Sequence, residues 1–220
     1  MAVTGGHVTI LRTCYRTTRA IIEAAKPLIA NQHERLGEDL VLPDSGVPED
    51  GPAPRLILAD SPESEKDCVV EEIWNELAAG SPPETIAVFA DDGRFLREVA
   101  AGLAEYDVPY ELFLKPDGSK ALDVTHPSVK LITTYSAKGI EFPIVFICRV
   151  TEGRFPTRGD RDRCDRARRK LYTAMLRAAW KLTLTATRRD ASRLLQEIGI
   201  LAGSQVAAAT APSLGRPGIS

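Results

Sequence analysis

The chain has 220 residues, 44% of them hydrophobic and 26% charged, which suits one sizeable domain with a buried core and rules out disorder throughout. Its 16 glycines and 15 prolines follow no strict period, which excludes a collagen-like chain. No apolar run reaches the roughly 18 residues of a membrane span, and Met1 to Leu11 lacks the pattern of a signal peptide.

The formal net charge of −2 conceals two opposite halves. Glu34 to Gly80 carries 13 acidic and 3 basic residues, whereas Arg149 to Arg193 carries 14 basic and 5 acidic. The basic stretch suits phosphates or a solvated helix face; charge alone leaves both open. Cys14, Cys68, Cys148 and Cys164 lie far apart with no CxxC pair, so reduced thiols in a cytoplasmic protein are expected rather than a disulfide framework or zinc site.

In chain order, Val8 to Leu11 reads as a strand. Thr17 to Asn31 has apolar residues at Ala20, Ile21, Ala24, Ala25 and Leu28, a helical spacing. Pro43 to Pro54 is a loop, and Arg55 to Ala59 is the next strand. Ser61, Pro62 and Glu63 open a helix that runs to Ala79, with Val69, Val70, Ile73 and Leu77 facing inward. Thr85 to Ala90 is a buried strand, after which Asp91 or Asp92 caps a helix to Tyr106. Pro109 to Leu114 is a strand and Lys115 to Pro127 a polar loop. Strands follow at Val129 to Tyr135 and Ile144 to Val150. A loop, Thr151 to Gly159, precedes an Arg-rich helix over Asp160 to Ala179, a strand over Lys181 to Thr187 and a last helix over Ala191 to Ile198. Residues 1–200 are expected to form the domain, and 201–220 a disordered tail.

Near-continuously apolar strands alternating with helices predict an α/β domain, a mostly parallel sheet sandwiched by helices. The sequence contains no GxxxxGKS/T and no GxGxxG, so it lacks the glycine-rich loop that surrounds phosphates with backbone N–H groups. It contains no GxSxG or HExxH, and His7, His33 and His126 are scattered. No metal site is expected.

Three segments stand out together: Leu11-Arg12-Thr13-Cys14-Tyr15-Arg16-Thr17-Thr18, then Leu131 to Pro143 (LITTYSAKGIEFP), then Arg168 to Ala178 (RRKLYTAMLRA). In this order they resemble motifs IV, V and VI of the second RecA-like domain, 2A, of UvrD/Rep-type superfamily 1 DNA helicases. SAKGIEFP is the most specific of them. The resemblance covers about Val8 to Thr187 and implies a RecA-like fold of the P-loop NTPase superfamily without its own P-loop.

It also implies an ATP site shared between two domains. Tyr15 would stack on the adenine, Arg16 and Arg177 would reach the γ-phosphate as arginine fingers, and Gly139 and Glu141 would belong to the nucleotide site, Glu141 on the ribose. Thr133, Tyr135 and Lys138 would link that site to single-stranded DNA. ATP and Mg would be held mainly by an N-terminal P-loop RecA-like domain, in the same parent chain or in trans. The isolated chain is then expected to be inactive, and its function to be that of the C-terminal motor domain of an ATP-dependent helicase. The alternative is a diverged non-enzymatic α/β module that binds nucleic acid or protein.

Each residue also has an ordinary structural role. Tyr15 and Arg16 suit a first helical turn, Arg177 suits a helix C-terminus, and Lys138-Gly139 suits a turn. Their joint occurrence in one order carries the resemblance. The sequence departs from the family pattern at Cys14 (Asn is usual), Thr17 (Ser), Tyr135 (His) and Leu176 (Thr). Asp91-Asp92-Gly93 also replaces an Arg- and Asn-bearing turn, and two acids there are expected to repel phosphate.

Overall fold

The computed structural model describes residues 17–30, 50–114, 123, 125–134 and 139–198, together with the backbone of 206–208. The expected strand at Val8 to Leu11 and most of the loops at 43–54 and 115–127 lie outside these residues.

Among the described residues, seven strands form one sheet in the order β3-β4-β2-β5-β6-β1-β7, every neighbouring pair parallel. They are β1 (Arg55–Ala59), β2 (Ile86–Phe89), β3 (Tyr110–Phe113), β4 (Val129–Ile132), β5 (Phe142–Ile147), β6 (Ala178–Thr187) and β7 (Val206–Ala208). The expected sheet is thus wholly parallel. The short β7 pairs with Leu56 to Leu58, inside the segment expected to be a tail. Among the described residues, five α-helices cover the sheet: α1 (Arg19–Ala25), α2 (Pro62–Ala78), α3 (Gly93–Glu105), α4 (Arg161–Met175) and α5 (Leu194–Glu197).

Strand alternation divides the core in two. Ala87 and Phe89 of β2 point to one face, where Ile21 and Ala25 of α1 and Leu171 and Met175 of α4 pack. Ile86 and Val88 point to the other, against Val69 and Ile73 of α2 and Leu96, Val99 and Leu103 of α3. Both faces are therefore covered, which is why the strands read as continuous apolar runs.

The helix starts follow their sequence signals. Ser61 and Ser64 form a reciprocal capping box, with Pro62 in the first turn of α2. Asp92, rather than Asp91, caps α3, accepting from the N–H groups of Arg94 (3.1 Å) and Phe95 (3.3 Å). The Arg-rich helix is shorter than its charge pattern predicted. It ends at Met175, and β6 begins at Ala178, because strand pairing of Ala178 with Phe142 takes over from helix propensity.

Among the described residues, two charged side chains, Lys130 and Glu65, are fully buried. Lys130 of β4 is fully buried and pairs with Glu111 on edge strand β3, while also donating to the Ser128 hydroxyl (2.8 Å) and the His126 carbonyl (2.8 Å). Glu65 of α2 is fully buried beneath the C-terminal ends of β5 and β6. One of its oxygens accepts from the Arg149 N–H (2.8 Å) and the Thr185 hydroxyl (2.7 Å), and the other from Arg149 Nη1 (3.2 Å) and the Thr187 hydroxyl (3.1 Å). Arg149 itself is left-handed (φ 58°).

Candidate functional site

Arg177 occupies the link between α4 and β6. Its N–H donates to the Ala174 carbonyl (3.1 Å), and its carbonyl accepts from the Phe142 N–H (3.0 Å). The helix end and the first residue of β5 therefore fix its backbone from both sides. The side chain is 21% exposed, and Nη1 lies 3.6 Å from the carboxylate of Glu141. That distance is an ion pair but too long for a hydrogen bond. Nε is buried and has no hydrogen-bond partner. The guanidinium is thus held in place with a donor uncommitted.

Glu141 stands just ahead of β5, after a turn at Gly139, whose φ of +85° requires glycine although nothing lies within 4 Å of where a Cβ would sit. Thr17, the first described residue after Arg16, donates through Oγ1 to the carbonyl of Leu176 (3.2 Å). The entrance to α1 is therefore tied to the residue that precedes Arg177. Gly51 (φ +65°) packs on the neighbouring Thr18, where a Cβ would come within 2.3 Å of the threonine methyl. This close approach holds the 50–54 segment against the α1 entrance.

Of the residues expected in the site, the structure brings together Arg177, Glu141 and Gly139 at the N-terminal ends of β5 and β6. Thr133 lies just past the C-terminal end of β4, its N–H bonded to the Phe113 carbonyl (3.1 Å). Tyr15, Arg16, Tyr135 and Lys138 lie outside the described residues.

Arg177 and Thr134 line a cleft of about 470 Å³ that runs along α4. Thr134 Oγ1 is buried there without a partner. Arg163, Arg166 and Lys170 continue the lining along the helix, and Arg154 closes it from the loop after β5. Spacings of three, four and seven residues put these helix positions on one face, a pattern present in the sequence.

The anchoring of this face was not anticipated. Lys170 pairs with Asp91, donates to the Arg154 carbonyl (3.0 Å) and sits 4.1 Å over the Phe155 ring. Arg154 in turn donates to the Asp91 carbonyl (2.6 Å) and to Asp92 (2.8 Å). The two acids expected to repel phosphate are therefore each matched by a cation of the cleft wall. Asp91 and Lys170 are 79 residues apart, and no local pattern links them.

Burial works to raise the Asp92 pKa, but the Phe95 N–H, the Arg154 guanidinium and the Arg94 N–H outweigh it and hold it below the ordinary 3.8. A carboxylate with a depressed folded pKa adds stability above its unfolded pKa and loses it as pH falls through the folded value. Asp92→Ala is accordingly expected to cost about 1–2 kcal/mol at pH 7, the size of a helix cap. The difference from the parent chain should hold down to about pH 5 and shrink below pH 4. Urea unfolding of both proteins at pH 7 and pH 3 checks this; a gap unchanged at pH 3 contradicts it.

Cys68 and Cys148 offer no nucleophile. Burial pushes the Cys68 thiol up to about 11 and raises the fully buried Cys148 further, so both are protonated packing groups at neutral pH. Among the described residues, no group of three or more His, Cys, Asp or Glu is placed to hold a metal ion. No helix among them is long and apolar enough to cross a membrane.

Comparison with known proteins fits this geometry. Residues 111–189 match the UvrD-like helicase C-terminal domain, a span that begins within β3 and contains β4 to β6, α4, Glu141 and Arg177. DNA helicase II of Escherichia coli (strain K12) is 44% identical over 71 residues, 31% of this chain and 10% of that protein. The ATP-dependent DNA helicase PcrA of Leuconostoc citreum is 43% identical over 61 residues, 26% of this chain and 8% of that protein. The chain thus matches about a tenth of the length of these relatives. The C-terminal domain of a possible DNA helicase from Lactobacillus plantarum WCFS1 shares the fold, with a TM-score of 0.63 at 20% identity over 87% of this chain and 98% of that one. Residues 111–189 are thus similar to the UvrD-like helicase C-terminal domain, and the sheet shares the fold of a helicase C-terminal domain.

Proposed function

We propose that the chain is the C-terminal motor domain of a superfamily 1 ATP-dependent DNA helicase. It completes an ATPase site whose P-loop belongs to a separate domain, and it couples hydrolysis to movement on single-stranded DNA. The observation that carries this reading is the Arg177 guanidinium: fixed at its backbone from both sides, beside Glu141, with a buried Nε left uncommitted. An arginine is always charged and offers a planar fork of donors, which suits a phosphoryl group gaining negative charge.

ATP with Mg, gripped mainly by the P-loop domain, supplies the phosphoryl group. On this chain, Arg177 neutralises charge on that group and Glu141 bonds the ribose. The tie between Thr17 and Leu176 supports a role for Arg16 beside Arg177, with Tyr15 against the base. Thr133, Tyr135 and Lys138 pass the state of the cleft to the DNA strand. Because the finger comes from a second domain, hydrolysis requires cleft closure, and closing and opening become steps along DNA.

The test is DNA-stimulated ATP hydrolysis by this chain alone and by the chain joined to the P-loop domain of its parent protein. Turnover is expected only from the joined form. Robust turnover by the 220 residues alone overturns the reading.

A further inference from the structure

Three hydrogen bonds set the backbone on either side of Arg177. In the peptide before it, the Arg177 N–H donates to the Ala174 carbonyl (3.1 Å) and the Leu176 carbonyl accepts from Thr17 Oγ1 (3.2 Å). In the peptide after it, the Arg177 carbonyl accepts from the Phe142 N–H (3.0 Å). Two of these bonds join backbone to backbone. The third comes from a side chain 159 residues away in sequence.

A threonine at the start of a helix ordinarily caps its first N–H groups. At α1 that work is done differently. The Ala20 N–H donates to the Asp50 carbonyl (3.1 Å), and Thr18 at the N-cap makes no side-chain cap bond, its Oγ1 buried without a partner. Thr17, buried beside it, turns its hydroxyl to the other helix, where the last carbonyls of α4 lack partners within the helix. The Arg177 side chain has little of its own to aim it. Its Nε has no partner, and Nη1 is 3.6 Å from Glu141. Its direction is therefore inherited from the backbone.

We propose that Thr17 is a positioning residue for Arg177: its hydroxyl fixes the plane of the Leu176–Arg177 peptide and so sets the direction in which the guanidinium points. A small rotation of that peptide is multiplied along a side chain as long as arginine, and a misplacement of about 1 Å can cost roughly 10²-fold in rate. The proposal rests on the reading of Arg177 as a finger.

The test uses the chain joined to the P-loop domain, with each variant assayed well below its melting point. Thr17→Val keeps the shape of the side chain and removes the donor. It should lower kcat at saturating ATP by about 10- to 100-fold and leave KM for ATP within about threefold. Thr17→Ser restores the hydroxyl and should return kcat to within about threefold of the parent. Thr185→Val removes a buried hydroxyl donor toward the other end of β6 and should change kcat by less than about twofold. In the Arg177→Ala background, Thr17→Val should cost no further rate, because a residue that acts through the finger has nothing left to act on. Amide hydrogen exchange of the 220-residue chain reads the same tie without ATP. Thr17→Val should speed exchange of the Arg177 N–H by about tenfold or more, and Thr17→Ser should not.

The proposal fails if Thr17→Val keeps kcat within about threefold of the parent, if serine does not restore the rate, if Thr185→Val loses as much, if the losses at positions 17 and 177 multiply, or if exchange at Arg177 is unchanged. A large loss in Arg177→Ala beside an unaffected Thr17→Val overturns the positioning role and leaves the finger standing. A joined protein without turnover, or an unaffected Arg177→Ala, overturns both.

Discussion

Arg177→Ala is expected to lower ATP turnover of the joined two-domain enzyme by about 10³- to 10⁵-fold, the worth of an arginine finger. The stability of this domain should change by less than about 1 kcal/mol. The two halves of that expectation have one structural cause. The groups that fix Arg177 are its backbone N–H and carbonyl, bonded to Ala174 and Phe142, and alanine keeps both. The side chain contributes little to the fold: its ion pair with Glu141 is long at 3.6 Å, and its buried Nε has no partner. Truncation therefore removes a cation whose ion pair is long and leaves Glu141, which is 27% exposed, access to water. Arg177→Lys keeps the charge but not the planar fork, so it should recover only a small part of the rate. The loss should appear in kcat at saturating ATP, because the interaction strengthens as charge develops. Retention of more than a tenth of the parent turnover by Arg177→Ala sinks the finger assignment.

Much of this arrangement was legible in the sequence, for specific reasons. Ser61-Pro62 and Asp92-Gly93 announce helix starts because their side chains and backbone serve the first N–H groups locally. Arg55 to Ala59 is a strand in both readings, with a continuous apolar run of LILA. Gly139 and Glu141 were named from a motif, and the turn that carries them requires glycine at its left-handed position. The end of α4 was misjudged because LRAAW has good helix formers. What stops the helix is pairing between Ala178 and Phe142, a contact between positions 36 residues apart that no local propensity contains. The ion cluster of Asp91, Asp92, Arg154 and Lys170 was hidden for the same reason. From sequence, two adjacent acids after a strand suggest repulsion of phosphate. In the fold they balance the cations of the cleft wall.

Glu65 presents the opposite case to Arg177, a charged group that serves the fold and not the chemistry. Glu65→Ala is expected to destabilise the domain by about 3–5 kcal/mol, the cost of breaking a buried pair by removing one partner. Four donors converge on this carboxylate, from Arg149 N–H and Nη1 and from the hydroxyls of Thr185 and Thr187. Alanine takes this acceptor from all four, although Arg149 Nη1 keeps its bond to the Thr187 oxygen (2.9 Å), and it also removes the acceptor that holds Arg149 in its left-handed backbone conformation. At about 2–4 °C per kcal/mol for a domain of this size, the melting temperature should fall by roughly 6–20 °C. Glu65→Gln should lose less. Its amide oxygen can keep the bonds to the Arg149 N–H and Thr185, and its NH₂ can donate to the Thr187 oxygen, but that NH₂ then faces the guanidinium as donor against donor. The site of damage matters as much as its size. Glu65 lies under the C-terminal ends of β5 and β6, whereas Arg177 precedes the N-terminal end of β6. Ten residues of β6 separate the two ends, a distance of about 30 Å at ~3.3 Å per residue. Well below its own melting point, the Gln variant joined to the P-loop domain should therefore turn over ATP within about twofold of the parent. A thousandfold loss of turnover in folded Glu65→Gln would show that the two ends of the sheet are energetically coupled, and would remove the separation between scaffold and finger on which the assignment of Arg177 depends.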